Sequence, residues 1–367
     1  MVVKQVYELV NSVVAQAMGT NELQATDTTS LVAMGQRVLN DNNLLDNFIN
    51  TLVDRIGKTI VSYRKYTNKM ADMVLDDFEF GAIVQKIKVQ MPNVEEDETL
   101  LPEDGGSVDH YKVARAKATQ TFFANEAPYQ VKITIQKKWL KTAFLSPQAM
   151  GGFISAVFGE VRNKLDLTLE VLGRTCLNNF IANTIANRSN KVINLVSDYN
   201  SESGKSLSSD EAYFDDKFLR YAVSRIKEIS SLLTDMSREF NDGTEDRHTP
   251  FDMQKLKVLS KFQKRLETVV QYAAFNDKYV KLNGFQEMNF WQSIKKEDRA
   301  KISVNGVTVD NVIAVLHDRD ALGIYRKNEE TATTPQNAAG LYYNTYWHEN
   351  QLWFNDTSEN FVVFTLN

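Results

Sequence analysis

A long stretch of helical periodicity runs through the middle of the chain, from Ser146 to Arg188. Its start has the residues typical of an N-cap and a first helical position, Ser146 and Pro147. Some forty residues at about 1.5 Å each would make a rod of roughly 60 Å, longer than most helices of globular proteins. The apolar residues that recur every three or four positions are Met150, Phe153, Ile154, Val157, Phe158, Val161, Leu165, Leu169, Leu172, Cys176, Phe180 and Ile181. The pattern predicts a spine helix, with Gly151, Gly152, Gly159 and Gly173 as the places where it would bend or be interrupted.

Two segments before the spine alternate apolar and polar residues with the period of a β-strand. They are IVQKIKVQM from Ile83 and YQVKITIQK from Tyr129, and each should have one face in solvent. Between them lies PNVEEDETLLPEDGGSVDH from Pro92, an acidic stretch whose prolines and glycines predict a mobile tip. We therefore expect a long two-stranded ribbon. Because such a ribbon is marginally stable in water, we also expect a neighbouring subunit to support it.

Charges of both signs on this ribbon suggest contacts between subunits. We interpret the acidic tip and the basic flanking strands as partners for charge pairing between copies, which would steer association more than it stabilises it. A divalent cation site in the acidic run is the less favoured alternative, because such runs are usually solvated. The candidate inter-subunit contact residues are Lys86, Lys88, Glu95, Glu96, Asp97, Glu98, Lys112, Arg115 and Lys117.

The C-terminal stretch from Val312 contains four short apolar bursts crowded with aromatic residues. The bursts are Val312 to Leu316, Ala321 to Tyr325, Leu341 to Trp347 and Phe361 to Phe364, separated by charged or Asn/Pro-containing turns. They predict strands of a closing sheet that packs against the spine helix. The aromatics could stack on bases, but without accompanying basic residues they are better interpreted as core or subunit-contact residues.

Helical patterns fill most of the remaining chain. An N-terminal helix should end at Gly19, a second should begin at Ser30 as N-cap, and a third should end just before Gly57. Two more helical regions are predicted in the middle, FDDKFLRYAVSRIKEISSLLTDMSREF and TPFDMQKLKVLSKFQKRLETVVQYAAF. The dipeptide Asn305-Gly306 predicts a hairpin turn. The N-terminal helix could cap a neighbour, touch a scaffold or pack on its own subunit.

Composition narrows the class of protein. The chain has 367 residues, of which 43% are hydrophobic and 24% charged, values close to globular averages that exclude a wholly disordered, collagenous or membrane protein. A single cysteine excludes an internal disulfide framework and suits a reducing compartment such as the cytosol. The first residues do not form a signal peptide. The net charge of -5 provides no global basic field for nucleic acid, so tight binding to nucleic acid is not expected.

Candidate catalytic groups are few and poorly arranged. Cys176 lies on the apolar side of the spine pattern and is interpreted as a core residue. The four histidines lack the spacing of a metal site, and neither a phosphate-binding glycine motif nor a GxSxG elbow occurs. Asp318 and Asp320 beside His317 are better explained as turn residues than as an acid/base cluster. We therefore expect no catalytic, metal or cofactor site; a hydrolase using His317 with Asp318 or Asp320 is the alternative.

Three local sequences carry a resemblance to a known family. NDNNLLDNFINTLVDRIG at Asn40, KWLKTAFLS at Lys138 and GLYYNTYWHENQLWF at Gly340 are similar, in order and spacing, to segments of major capsid proteins of the phi 29-like short-tailed phages. The resemblance runs from about Gln36 to the C-terminus. The order of helical arm, strand loop, spine helix, helical middle and aromatic closing strands also resembles the Hong Kong 97 capsid fold.

The resemblance implies an α+β chain divided into five segments. These are an N-terminal arm with short helices (1–57), an extended β-hairpin E-loop with flanking P-domain strands (58–142), the P-domain spine helix (143–190), a largely helical, mixed A-domain (191–307) and closing strands of the A- and P-domains (308–367). Some relatives carry an immunoglobulin-like domain after the last P-domain strand. None is expected here, because the sequence stops at Asn367.

The resemblance also implies a function and partners. The chain would be a major capsid protein that self-assembles through hexamers and pentamers into the icosahedral or prolate shell around phage double-stranded DNA. A scaffolding protein and a portal are the implied partners, the DNA would be enclosed without sequence-specific binding, and no membrane would be involved. The chain would fold and assemble in the host cytoplasm and end in the virion. Another virion subunit, such as a portal or tail component, is the alternative within this class.

Overall fold

A computed structural model describes residues 3–58, 66–75, 83–92, 117–187, 189–272 and 285–367, with the single positions 94, 104, 111, 113 and 115. The α-helices are α1 (Val3–Met18), α2 (Thr28–Asn40), α3 (Asn42–Lys58), α4 (Lys137–Ala143), α5 (Pro147–Ile154), α6 (Glu160–Asn187), α7 (Leu195–Ser203), α8 (Ser209–Ala212), α9 (Asp216–Leu232) and α10 (Ser260–Tyr272). The strands are β1 (Val74–Leu75), β2 (Val84–Val89), β3 (Ala118–Phe123), β4 (Asn125–Gln136), β5 (Val192–Asn194), β6 (Gln254–Leu259), β7 (Phe285–Met288), β8 (Ile302–Val304), β9 (Val307–Val309), β10 (Val312–Asp318), β11 (Leu322–Thr333), β12 (Tyr342–Asn355) and β13 (Phe361–Thr365).

The spine is confirmed as one helical run from Pro147 to Asn187, capped where its sequence predicts. Ser146 Oγ accepts a hydrogen bond of 3.1 Å from the Ala149 N–H. Between α5 and α6 the helix makes a π-helical turn, Ser155–Gly159, which is the interruption expected near the glycines. Gly173 instead lies within regular α6, where it allows close packing of another segment.

A four-stranded sheet, in the order β1-β11-β12-β4, packs against the first half of the spine. Its centre is the 14-residue strand β12, antiparallel to both β11 and β4. Strand β4 has the predicted alternation, with Tyr129, Val131, Ile133 and Ile135 turned inward. Helices α1, α2 and α3 complete this core, so the N-terminal helix packs on its own subunit, against α3 and α5.

A five-stranded sheet, in the order β5-β13-β10-β6-β7, forms the second half of the molecule. Helices α7, α8, α9 and α10 cover one face. The C-terminal half of α6, residues 70–73 and the β8–β9 hairpin cover the other. Asn305 and Gly306 join β8 to β9 with φ angles of 51° and 81°, which confirms the predicted hairpin.

Several sequence-based expectations are wrong in detail. The N-cap of α2 is Asp27; Ser30 is the N3 partner of its capping box and donates back toward Asp27. Helix α3 ends at Lys58 and so includes Gly57. The second predicted middle helix begins with a strand, β6, and the helix of its described part, up to residue 272, is Ser260–Tyr272.

Two strand pairings also differ from expectation. Strand β2 pairs with β3, whereas the segment from Tyr129 belongs to β4 and pairs with β12 in the four-stranded sheet. The ribbon is therefore β2–β3, and its predicted acidic tip lies mostly outside the described residues. The four C-terminal bursts do become strands, but of two sheets: β10 and β13 lie in the five-stranded sheet, and β11 and β12 in the four-stranded one.

Candidate assembly surface

The outward face of the β2–β3 ribbon carries a row of large apolar residues, together with Gln85 and Gln120. Along β2 the odd-numbered positions are exposed and the even-numbered positions are partly or fully buried. Strand β3 adds Phe122, which lies opposite Gln85 and so shares the outward face. The large apolar residues on this face are Ile83, Ile87, Val89, Met91 and Phe122, each exposed by 50% or more. We call these five residues the ribbon face.

Exposed apolar side chains continue beyond the ribbon face. At the separately described positions on the tip side of the ribbon, Val94, Tyr111 and Val113 are exposed by 99%, 90% and 76%. Exposed apolar groups are common singly, whereas a row of them marks an interaction site. The row makes the outward side of the ribbon a candidate interaction surface.

The inward face of the ribbon carries charge where an apolar row would be expected. At its base Val84 and Phe123 pack against the four-stranded sheet, and the Phe123 ring lies 5.2 Å from that of Phe354. Farther along β2 the inward residues are Lys86 and Lys88, whose side chains are only 24% and 5% exposed. The sequence predicts that one face of this strand is exposed to solvent. The structure shows that the exposed face is the one with the apolar side chains.

Lys86 and Lys88 bind two acidic residues of the same chain, Asp356 and Glu359, in the turn between β12 and β13. Asp356 Oδ2 lies 2.8 Å from Lys86 Nζ and 2.7 Å from Lys88 Nζ. Glu359 Oε1 lies 2.8 Å from Lys86 Nζ and 3.5 Å from Lys88 Nζ. We call these four residues the lysine clamp. It fixes the base of the ribbon to the body of the subunit.

Electrostatics within the lysine clamp favour the ionised forms of Asp356 and Lys86. Burial raises the pKa of Asp356, but the ion pairs with Lys86 and Lys88 and the Ser358 hydroxyl outweigh it and lower this pKa to about 2. Burial likewise lowers the pKa of Lys86, and the bonds to Asp356 and Glu359 more than reverse that, so its pKa is raised. Asp356 and Lys86 are therefore charged throughout the neutral pH range.

The predicted inter-subunit residues differ in where the structure places them. Lys86 and Lys88 have partners within their own chain. Arg115 and Lys117 are exposed. Glu95, Glu96, Asp97, Glu98 and Lys112 lie outside the described residues. Charge pairing between copies therefore remains a prediction for the ribbon tip, whereas the inward lysines already have intrachain partners. Sequence reasoning missed Asp356 and Glu359, because Lys88 and Asp356 are 268 positions apart.

A second buried ion pair connects the spine to two other segments. Glu170 and Arg174 lie one turn apart on α6, and Arg174 Nη1 donates a 2.6 Å hydrogen bond to the Phe290 carbonyl. Glu170 also accepts hydrogen bonds from the Tyr66 hydroxyl and the Lys69 N–H. Burial raises the Glu170 pKa, but these hydrogen bonds and the Arg174 charge lower it overall. The pair positions the chain that leads toward the ribbon.

The residues of the alternative hydrolase site, His317, Asp318 and Asp320, make contacts that stabilise the fold. His317 is 1% exposed and its Nδ1 lies 2.7 Å from the Asp318 carbonyl. Asp318 caps the following turn through the Asp320 N–H at 2.8 Å and accepts from the Thr249 hydroxyl at 2.7 Å. Burial and the Lys257 charge lower the pKa of His317 to about 4. Cys176 is buried in the core as predicted, and burial raises its pKa to about 12.

The C-terminal aromatics mostly form the core. Tyr343, Trp347 and Phe354 are buried, and Trp347 packs edge-on against Phe158 of the spine at 5.9 Å. Within the described ranges, no three His, Cys, Asp or Glu side chains are grouped as ligands of a metal ion would be. Among the helices of those ranges, none has the length and apolar character needed to cross a membrane.

Sequence comparison places the chain near phage structural proteins. The sequence model of the family described as Phi29-like phage major capsid protein matches residues 10–365. The major capsid protein of Bacillus phage GA-1 is 22% identical over 363 residues, which are 98% of this chain and 69% of that protein. The major capsid protein of Streptococcus phage Cp-1 is 26% identical over 113 residues, 31% of this chain and 30% of that protein.

Solved structures share the fold at much lower identity. A chain of the capsid structure of Staphylococcus phage Andhra has a TM-score of 0.54 and 10% identity, covering 84% of this chain and 87% of its own. A chain from the structure of the head fiber and inner core protein of native bacteriophage P68 has a TM-score of 0.56 and 9% identity, with the same coverage. The helix and strand arrangement around the spine is thus shared with phage particles.

Proposed function

Because the chain belongs to the family of Phi29-like phage major capsid proteins and is therefore a component of a phage capsid, we propose that the ribbon face binds the neighbouring copy in the shell. The observation that carries this is the row of five exposed apolar side chains on a two-stranded ribbon that is part of neither larger sheet. A two-stranded ribbon with such a face is marginal alone and gains stability when a second surface covers it.

The contact we propose is heterologous, since the ribbon of one copy would cover a different surface of the next. Contacts of this type close into rings when their rotation permits. We propose hexameric and pentameric rings, assembled into an icosahedral or prolate shell. The division into arm, E-loop, spine, A-domain and closing strands, with the boundaries 1–57, 58–142, 143–190, 191–307 and 308–367, is part of the same proposal. It is supported by the ribbon, the spine and the two sheets.

We propose a scaffolding protein and a portal as assembly partners and double-stranded DNA as the enclosed cargo, with assembly in the host cytoplasm. The net charge of -5 supports enclosure without tight binding, because a strongly basic lining would hold DNA by counterion release. We also propose that the chain is not an enzyme. The burial of His317 and Cys176 and the capping role of Asp318 support this.

Assembly of the full chain, co-expressed with the phage's scaffolding protein, tests the proposal. We expect closed particles by negative-stain microscopy and megadalton species by light scattering. The double variant Ile87→Asp/Val89→Asp should abolish particles, since a carboxylate buried at a subunit contact is strongly unfavourable. Ser224→Asp, at an exposed position of α9, is the control for added charge. Normal particles from the double variant, or a wild-type chain that never assembles, would contradict the proposal.

A further inference from the structure

The ribbon has an unusual orientation, because its lysines face the protein body and its large apolar side chains face solvent. An alternating strand normally turns its apolar side to the protein body and its charged side to solvent. In β2 Lys86 and Lys88 turn inward, while Ile87 and Val89 turn outward. Val84 and Phe123 pack inward at the base of the ribbon and favour this orientation there. At positions 86 to 89 the alternation opposes it, so another interaction must contribute.

The lysine clamp is that interaction. Two ammonium groups share the same two carboxylate oxygens, Asp356 Oδ2 and Glu359 Oε1. If the ribbon were turned over so that Ile87 and Val89 faced the protein body, both lysines would leave these oxygens. All four charges of the clamp would then lose their partners. A buried charge that loses its partner is strongly unfavourable, so the clamp selects one orientation.

The acidic side of the clamp is fixed independently of the ribbon. The Asp356 N–H donates a 2.7 Å hydrogen bond to the Ala321 carbonyl. Its Oδ1 accepts from the Ser358 N–H at 3.0 Å and the Ser358 hydroxyl at 2.6 Å. Lys86 Nζ further donates to the Asp320 carbonyl at 3.2 Å. The turn is a preformed receptor, so the ribbon docks onto a surface that is already arranged.

We propose that Lys86 and Lys88 are positioning residues for shell assembly, which hold the ribbon face outward for a second copy of the chain by binding Asp356 and Glu359. This inference rests on the proposed function, because it takes the ribbon face to be the assembly surface. The clamp is outside the apolar cores of the two sheets, so its loss should free the part of the ribbon beyond Val84 and Phe123 while the body stays folded.

The double variant Lys86→Gln/Lys88→Gln tests this in the full chain. Lys217→Gln is the control, since it removes an exposed lysine from α9, away from the ribbon. We expect hydrogen exchange of the β2 and β3 amides in the unassembled double variant to rise about tenfold or more, with α6 unchanged. Particle yield should fall at least about tenfold, as expected when a binding-competent orientation becomes a minor state. Lys217→Gln should match the wild type in both measurements.

Charge exchange provides the second variant. Lys86→Glu/Lys88→Glu should abolish assembly. Adding Asp356→Lys/Glu359→Lys should restore it at least partly, because two ammonium groups again lie opposite two carboxylates, with their positions exchanged. If the glutamine variant fails to fold, the charge exchange tests the proposal instead. Failure of the variant with all four substitutions to assemble overturns the proposal. Wild-type particle yield or unchanged ribbon exchange in the glutamine variant also overturns it. A wild type that never assembles refutes the proposed function. Hydrogen exchange of the β2 and β3 amides then tests separately whether the lysine clamp holds the ribbon in place.

Discussion

Arg174 donates two hydrogen bonds to a single oxygen of Glu170, from Nε at 3.0 Å and from Nη2 at 2.9 Å. Both side chains are buried on the spine helix. Because the same carboxylate also binds Tyr66 and the Lys69 N–H, one residue of the spine holds the segment that precedes β1.

Glu170→Gln should therefore destabilise the subunit. The substitution leaves the Arg174 guanidinium buried without its counter-charge, which costs about 3 kcal/mol of unfolding free energy. Guanidinium chloride unfolding of the unassembled chain, followed by circular dichroism, measures this. Thr175→Ala, at an exposed position of the same helix, should change the unfolding free energy by less than about 0.5 kcal/mol. Equal stability of the two variants would show that the ion pair is not needed.

Gly173→Ala should destabilise the chain although alanine is the better helix former. A Cβ at this position would lie 2.8 Å from the Met70 Cβ, which is buried and cannot move away easily. Overpacking of this kind costs about 1–3 kcal/mol, more than the roughly 1 kcal/mol gained in helix propensity. Gly152→Ala is the matched control, because a Cβ there meets nothing within 4 Å. It should raise the melting temperature, while Gly173→Ala lowers it; a rise in both would refute the close contact.

His317 should make stability depend on pH in the mildly acidic range. Its pKa is lowered to about 4 in the folded chain by burial and the Lys257 charge; Lys255, Asp72 and Asp318 also face it. The unfolded chain, with an ordinary histidine pKa of about 6.5, binds more protons between these values, so stability falls as pH drops from about 6.5 to about 4. The difference between the unfolding midpoints of the wild type and His317→Gln should be largest and constant above about pH 6.5 and should shrink as the pH falls toward 4. His348→Gln, at an exposed site, should follow the wild type.

Asp356 should add a separate loss of stability at lower pH. Its folded pKa of about 2 is below the ordinary value, so its stabilising contribution is complete above about pH 4 and is lost as pH falls toward 2. Lys86, Lys88 and Glu359 are the charged groups that face it. Asp356→Asn should flatten the pH dependence in this window only. A variant whose unfolding curve tracks the wild type from pH 4 to about pH 2.5 would argue against the ion pairs.

The spine and its cap could be predicted because helical periodicity and an N-cap are encoded locally. β6 could not, since Leu256, Val258, Leu259, Phe262 and Leu266 fit one side of a helix as well as a strand followed by a helix. The pairing of β2 with β3 was missed because ATQTFF has few apolar residues and register depends on tertiary contacts. For the same reason no local signal connects Lys88 to Asp356.

The chain passes between its two sheets twice near the C-terminus, at Arg319–Ala321 between β10 and β11, and again between β12 and β13. Lys86 Nζ contacts both passages, through the Asp320 carbonyl and the Asp356 carboxylate. The two passages are also joined to each other, because the Asp356 N–H donates a 2.7 Å hydrogen bond to the Ala321 carbonyl. Lys86 therefore attaches the ribbon where the chain crosses between the sheets, so the ribbon takes its position from both sheets at once.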